Sequence, residues 1–259
     1  MNGRPPKAPT DEPVVGSIVK TIAILRHLAD EPDRRGVNAI ARAVSLSPSS
    51  CFNILKTLAR EGFVDFDQQT KKYSIGSGLV LLAQRALGPE NVYPTCAPIL
   101  EDIARRFQAT VGLLRLTPTY RLVLLGVAEN ASAIRIQMTV GQRLPYLLGA
   151  DGRCVAAALD LPLEVLAAEF KRLRWGNPPT FEAYVDDIER AKASGWAIDD
   201  GNVMPAITTV AAPVLGKDKR LRYTIDATVF RSQHTDATLN QIAKVLKASA
   251  QEISKLLKI

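Results

Sequence analysis

Ser45-Leu46-Ser47 separates two stretches of helical periodicity, and Pro48 follows at once. A connection of three residues forces the two helices to cross steeply and pack against each other. Proline at the first helical position forfeits no hydrogen bond, because first-turn N–H groups lack intrahelical partners, and Ser47 suits the capping position before it. The spacing predicts a helix over about Asn38–Val44, with Ile40, Ala41 and Val44 inward. It predicts a second over Pro48–Arg60 that buries Cys51, Ile54, Leu55 and Leu58, closed by Glu61-Gly62. Upstream, a helix capped by Ser17 should set Ile18, Ile22, Leu25 and Leu28 on one face and end at Asp30-Glu31-Pro32. Downstream, FVDF (63–66) and KYSI (72–75) read as two short strands around a polar turn. Helix, helix, three-residue turn, helix and hairpin is the order of a winged helix-turn-helix.

That order directs attention to the polar face of the second turn-linked helix. Ser49, Ser50 and Asn53 occupy its first turn and a half, the part that enters a major groove deepest. Asparagine can bond an adenine bidentately, and serine hydroxyls suit phosphates or bases. Ser47 at the cap, Lys56 one turn on, and Lys71 and Lys72 in the hairpin complete the set expected at a double-stranded DNA operator. The same geometry also occurs in small helical bundles that bind no DNA. Charge adds little: lysine and arginine outnumber aspartate and glutamate by 33 to 26, but residues 1–80 carry 11 basic and 8 acidic side chains. One such head should bind weakly, since each phosphate contact adds a modest counterion term, so an oligomer is expected.

The remaining texture bounds the rest of the chain. Residues 1–16 hold Pro5, Pro6, Pro9 and Pro13 and no apolar signal core, so they are read as a disordered tail. The winged helix-turn-helix is assigned to 17–76. A linker helix over 77–88 should be stopped by Gly88-Pro89, and a mixed region of strands and helices occupies 89–259. No run approaches the roughly 18 apolar residues of a membrane span. Cys51, Cys96 and Cys154 are too scattered for a disulfide framework or a zinc site, so a cytoplasmic protein without metal or other cofactor is expected. His27 and His234 are read as surface residues, without an obvious catalytic partner. The final helix, Thr235–Lys258, has too few heptads for a coiled coil and should pack on its own sheet.

Taken in order, SIVKTIAILRHLAD, NAIARAVSLSPSSCFNILKTLAREGFV and KKYSIGSGLVLLA resemble the DNA-binding half of the IclR family of bacterial transcription regulators. GQRLPYLLGADGRCVAAAL (141–159), SGWAIDDG (194–201) and VAAPVLGKDKRLRYTIDA (210–227) resemble its second half, so the likeness covers about residues 17–258. It implies an α+β chain with an N-terminal winged helix-turn-helix, a linker helix, and a C-terminal GAF-like α/β effector-binding domain. It also implies a homodimer or a dimer of dimers. Departures from its pattern fall at five positions. Asn53 replaces a common arginine, Ser45 a usual turn glycine, and Thr209 a frequent cysteine; Thr224 and Asp226 stand for two serines, while the acidic Asp199 is retained.

By that resemblance, a small-molecule effector would meet the backbone at Ala150 and Asp151, then Asp199, Thr209, Thr224 and Asp226. A helix over Arg153–Leu159 would aim its N–H groups at the ligand, with Leu147, Met138 and Met204 as apolar walls. Three aspartates near one cavity would disfavour a small keto acid and suit a ligand with donor groups: an amine, an amide or a polyol. The alternative has Asp151 and Asp226 facing solvent, which strand register decides. The leading reading is a ligand-responsive DNA-binding regulator and not an enzyme. The alternative is an enzyme or small-molecule-binding α+β protein whose helix-turn-helix serves protein contact only.

Overall fold

The computed structural model describes residues 15–31, 33–87, 92–130 and 136–259. The expected tail over 1–16 falls almost wholly outside them, as do Pro32 and the Gly88-Pro89 stop. The chain forms two compact units, which divide near residue 91.

The N-terminal unit runs α1 (Gly16–Asp30), β1 (Arg35–Gly36), α2 (Val37–Ala43), α3 (Pro48–Arg60), β2 (Val64–Asp67), β3 (Lys72–Ile75) and α4 (Gly78–Leu87). Ile24 and Leu28 of α1 join Ile40, Ala41, Cys51, Leu55, Leu58, Val64 and Tyr73 in its core. The expected face of α1 is therefore corrected. Ile18 and Ile22 are 57% and 42% exposed, and Leu25 is half-buried. The helix carries two apolar stripes, and the one ending in Ile24 and Leu28 faces α2 and β3. Its start is corrected as well: Val15 precedes the first turn and no side chain caps it, so Ser17 lies inside the helix. α3 begins as the sequence indicates. Pro48 opens it, and the Ser47 hydroxyl accepts the Ser50 N–H at 3.3 Å, although Ile54 is only half-buried. Ser45 at the turn has φ +54°, a left-handed conformation that costs a non-glycine residue about 1 kcal/mol. β2 and β3 pair antiparallel, and the two-residue β1, which no sequence pattern signalled, adds Arg35 opposite Tyr73.

The C-terminal unit runs α5 (Tyr93–Phe107), β4 (Thr110–Leu116), β5 (Arg121–Ala128), β6 (Arg143–Pro145), α6 (Gly149–Leu159), α7 (Leu163–Phe170), α8 (Phe181–Ser194), β7 (Ala197–Asp200), β8 (Ile207–Leu215), β9 (Leu221–Phe230) and α9 (Asp236–Leu256). The strands make one antiparallel sheet in the order β6-β5-β4-β9-β8-β7. Together with the helix-turn-helix unit this is the expected α+β architecture. Side-chain alternation splits the sheet cleanly. Val111 and Leu113 of β4, Val210, Ala212 and Val214 of β8, and Tyr223, Ile225, Ala227 and Val229 of β9 pack with α5 and α9. The even positions of β4 and β9 and the odd positions of β8 take the other side, where Leu114, Leu124 and Ala211 pack with α6 and α8. α9 packs on its own sheet through Leu239, Ile242, Leu246 and Ile253, while Leu256 is half exposed.

Candidate functional site

The polar face of α3 is built by helical spacing against its apolar one. Cys51, Leu55 and Leu58 are buried, while Ser49, Asn53, Lys56 and Thr57 are exposed. Ser47 donates to the Ser50 hydroxyl at 2.9 Å and lies 3.3 Å from Ser49, so the cap hydroxyls are partly engaged with one another. Thr57 is spent on the Asn53 carbonyl. Phe52, 47% exposed between Ser49 and Lys56, was missed from sequence, where an aromatic residue reads as core. An exposed ring at this position can meet a thymine methyl group.

The hairpin tip is locally ordered. Asp67 accepts the N–H groups of Gln69 and Thr70 and an ion pair from Arg34 at 2.9 Å. The Thr70 and Gln69 hydrogen bonds hold its carboxyl below the ordinary carboxylate range. Lys71, in a left-handed conformation, sets its ammonium 5.9 Å from the Phe66 ring, and both Lys71 and Lys72 are exposed. Buried Cys51 is unsuited to redox switching, because burial raises its thiol away from the reactive thiolate.

In the second unit, strand register settles which aspartates share a site. Asp226 pairs with Gly112 on β4 and Ala211 on β8, and Thr224 pairs with Leu114; all lie on the α6 side of the sheet. Asp226 Oδ1 accepts the Gly112 N–H at 2.8 Å, and Thr228, 3.5 Å from Oδ2, links it to half-buried Thr209 at 3.1 Å. Gly112 is required there, since a Cβ would stand 2.5 Å from Asp226 Oδ1. Above this row, α6 begins at Gly149, four residues earlier than expected. Gly149 takes φ +70° there. Ala150 and Asp151 therefore lie within its first turn, and both are buried. Gly152 must also be glycine, because a Cβ would meet the Leu147 backbone at 2.0 Å.

Asp151 thus faces Thr224 and Asp226. Burial raises its carboxyl to about 6, partly offset by those two side chains. Burial and then the neighbouring Asp151 charge push Asp226 well up, against the Gly112 N–H. Asp151 Oδ1 and Thr224 Oγ1 are buried without hydrogen-bond partners. Cys154, one turn along α6, is buried too, and its thiol is raised by burial and by Asp151.

The third expected carboxylate is turned elsewhere, which corrects the three-aspartate expectation. Asp199 accepts from Arg153 Nη1 at 2.8 Å and from the Val203 N–H at 3.1 Å. Arg153 is fully buried and also donates to Asp187 at 3.0 Å and Asn202 at 2.8 Å, with its guanidinium over Trp175 and Tyr184. Leu147 is buried and Met138 half-buried, but Met204 is 58% exposed and is not a wall. His234 is likewise not a free surface residue: its ring is half-buried between the Phe230 carbonyl at 3.3 Å and the Phe107 carbonyl at 2.9 Å. His27 is half-buried. Among the described residues no group of histidine, cysteine and carboxylate side chains is arranged to hold a metal ion.

Comparison with known proteins agrees in both halves. Residues 84–255 match the family model described as bacterial transcriptional regulator IclR, C-terminal, and residues 17–68 match the IclR helix-turn-helix domain. The chain is 23% identical to the HTH-type transcriptional regulator XynR of Escherichia coli, over 95% of this chain and 98% of that one. An IclR transcriptional regulator from Alicyclobacillus acidocaldarius superposes with a TM-score of 0.71 at 26% identity, covering 94% of this chain and 99% of its own. An IclR homolog from Microbacterium hydrocarbonoxydans, complexed with 4-hydroxybenzoate, has a TM-score of 0.72 at 16% identity, covering 94% and 99%.

Proposed function

Since the chain belongs to the IclR family of bacterial transcriptional regulators, we propose that α3 and the β2–β3 wing bind an operator. A small-molecule effector bound under α6 would alter that binding. The observation that carries the DNA half is the exposed row Ser49, Asn53 and Lys56 beside a wing tipped by Lys71 and Lys72. Ser47 and Ser50 keep a positioning part through the cap. The effector half is carried by Ala150, Asp151, Thr209, Thr224 and Asp226, which share one side of the sheet; Asp199 acts only through Arg153. The relative complexed with 4-hydroxybenzoate is in keeping with a small-molecule effector. Curated relatives are named as regulators and repressors, so the ligand is read as bound and not turned over. Among the described residues no helix is long and apolar enough to cross a membrane, in keeping with a cytoplasmic regulator.

A mobility-shift titration on the DNA upstream of the gene tests the DNA half. Asn53→Ala should weaken operator binding by about 1–3 kcal/mol, and more than it weakens binding to unrelated DNA. Lys71→Ala with Lys72→Ala should weaken both together and flatten the salt dependence by roughly two units of slope per head. Unchanged affinity in both variants would refute the assignment and favour protein contact by the helix-turn-helix.

We also infer that two or four copies act together. Ile18, Val19 and Ile22 of α1 and Val80, Leu81 and Leu82 of α4 stay exposed, an apolar surface that a second copy would cover. Sedimentation velocity of the full chain at micromolar concentration should give a dimer or tetramer. A monomer there would argue against it.

A further inference from the structure

Resting on the effector reading above, we propose that Asp151, Asp226 and the Thr224 hydroxyl recognise the protonated amine of a small organic cation. The site is built for donors. Asp226 Oδ1 is committed to the Gly112 N–H, but Thr228 is a long 3.5 Å from Oδ2. Across from it, Asp151 Oδ1 and Thr224 Oγ1 are both buried and both unpartnered. An ammonium group carries three N–H donors, and these three oxygens are acceptors for them. A buried acceptor left without a donor costs free energy, so the ligand supplies what the fold leaves unmet.

Charge points the same way. Two carboxylates held together in a water-poor site cannot both ionise freely, so the pair favours holding one proton between them. A monocation bound beside that shared proton cancels the one remaining negative charge and leaves the site near neutral. Among the described residues no lysine or arginine acts on either carboxyl. The guanidinium two residues on from Asp151, that of Arg153, is consumed by Asp187, Asp199 and Asn202. Among the described residues the other titratable group facing the pair is Cys154, which donates to the Ala211 carbonyl at 3.4 Å and carries no compensating charge. The N-terminus of α6 would ordinarily attract an anion, but Asp151 in its own first turn already supplies one. An anionic ligand would therefore meet two carboxylates and, among the described residues, no free cation.

The experiment uses the full-length chain and a panel of primary amines from methylamine to 4-hydroxybenzylamine. Each amine is paired with the alcohol and the carboxylate of the same skeleton. Binding is read by calorimetry and by melting temperature, and operator binding is followed alongside. At least one amine should bind with its alcohol and carboxylate counterparts at least about tenfold weaker. Asp226→Asn and Asp151→Asn should each lose at least about tenfold for that amine, with the far-ultraviolet spectrum retained. Carboxylates binding in place of amines would overturn the amine assignment while leaving an effector site standing, as would an amine affinity unchanged in both variants. No binding by any amine overturns it as well. Amine binding that leaves operator affinity untouched would keep the recognition chemistry and refute the regulatory reading on which it rests.

Discussion

Replacing Arg153 with alanine should destabilise the C-terminal unit by about 3–5 kcal/mol, the loss expected when one partner of a buried ion cluster is removed. The guanidinium has no exposure, and its three donor groups serve Asp187, Asp199 and Asn202 at 3.0, 2.8 and 2.8 Å. Without it, Asp199 keeps only the Val203 N–H and is buried as an uncompensated charge. Asp187 fares better, because Arg190 also pairs with it and it is partly exposed. Trp175 and Tyr184 would lose the cation stacked on them as well. Arg153→Lys should recover only part of the loss, since an ammonium cannot reproduce a planar fork with three separate acceptors. Urea unfolding followed by tryptophan fluorescence checks this directly. Both tryptophans, Trp175 and Trp196, lie in the C-terminal unit, so the signal reports that unit alone. A loss below about 1 kcal/mol would show that the cluster is replaceable.

The second large effect is a dependence on pH of unusual sign. The Asp151 carboxyl titrates at about 6 in the folded chain, against 3.8 ordinarily, with burial as the main cause. Between those values the native state holds a proton that the unfolded chain has released, so stability falls as pH rises through the interval. The loss is absent below the unfolded value and complete above the folded one. The gap corresponds to roughly 3 kcal/mol at full deprotonation. Asp226, raised further, extends the same trend upward in pH. Asp67, Asp160 and Asp218 are lowered by their hydrogen bonds and work in the opposite sense at more acid pH. The clean observable is therefore a difference. The melting temperature of the wild type should fall relative to Asp151→Asn between pH 4 and pH 7. Parallel curves for the two proteins over that range would show that the pair bears no such proton.

How much of this could be read beforehand depended on the range of the signal. α3 was legible because its determinants are local: a cap, a proline at the first position and an apolar stripe within thirteen residues. The left-handed turn at Ser45 was signalled only by the resemblance, through the turn glycine usual at that place. α1 was not, since it presents two apolar stripes and only the rest of the unit selects the one ending in Ile24 and Leu28. The start of α6 was hidden by Gly149 and Gly152, which read as loop residues until the close approach to Leu147 is seen. Asp151 and Asp226 were named from resemblance, but which side of the sheet Asp226 takes needed the Gly112 register. Thr228 could have been found beside Thr224 and Asp226 by its period of two. Arg153 could not. Arginine is ordinarily exposed, and its acceptors come from 34, 46 and 49 residues downstream.

The alternation along β9 separates two selective pressures within a single ten-residue strand. Its odd positions are held by the hydrophobic seam with α5 and α9, where burying a polar group without a partner is costly. Its even positions 224, 226 and 228 touch that seam nowhere. On the effector reading proposed above, lineages could therefore exchange one small polar side chain for another at those three codons and inherit a different chemical signal with the scaffold intact.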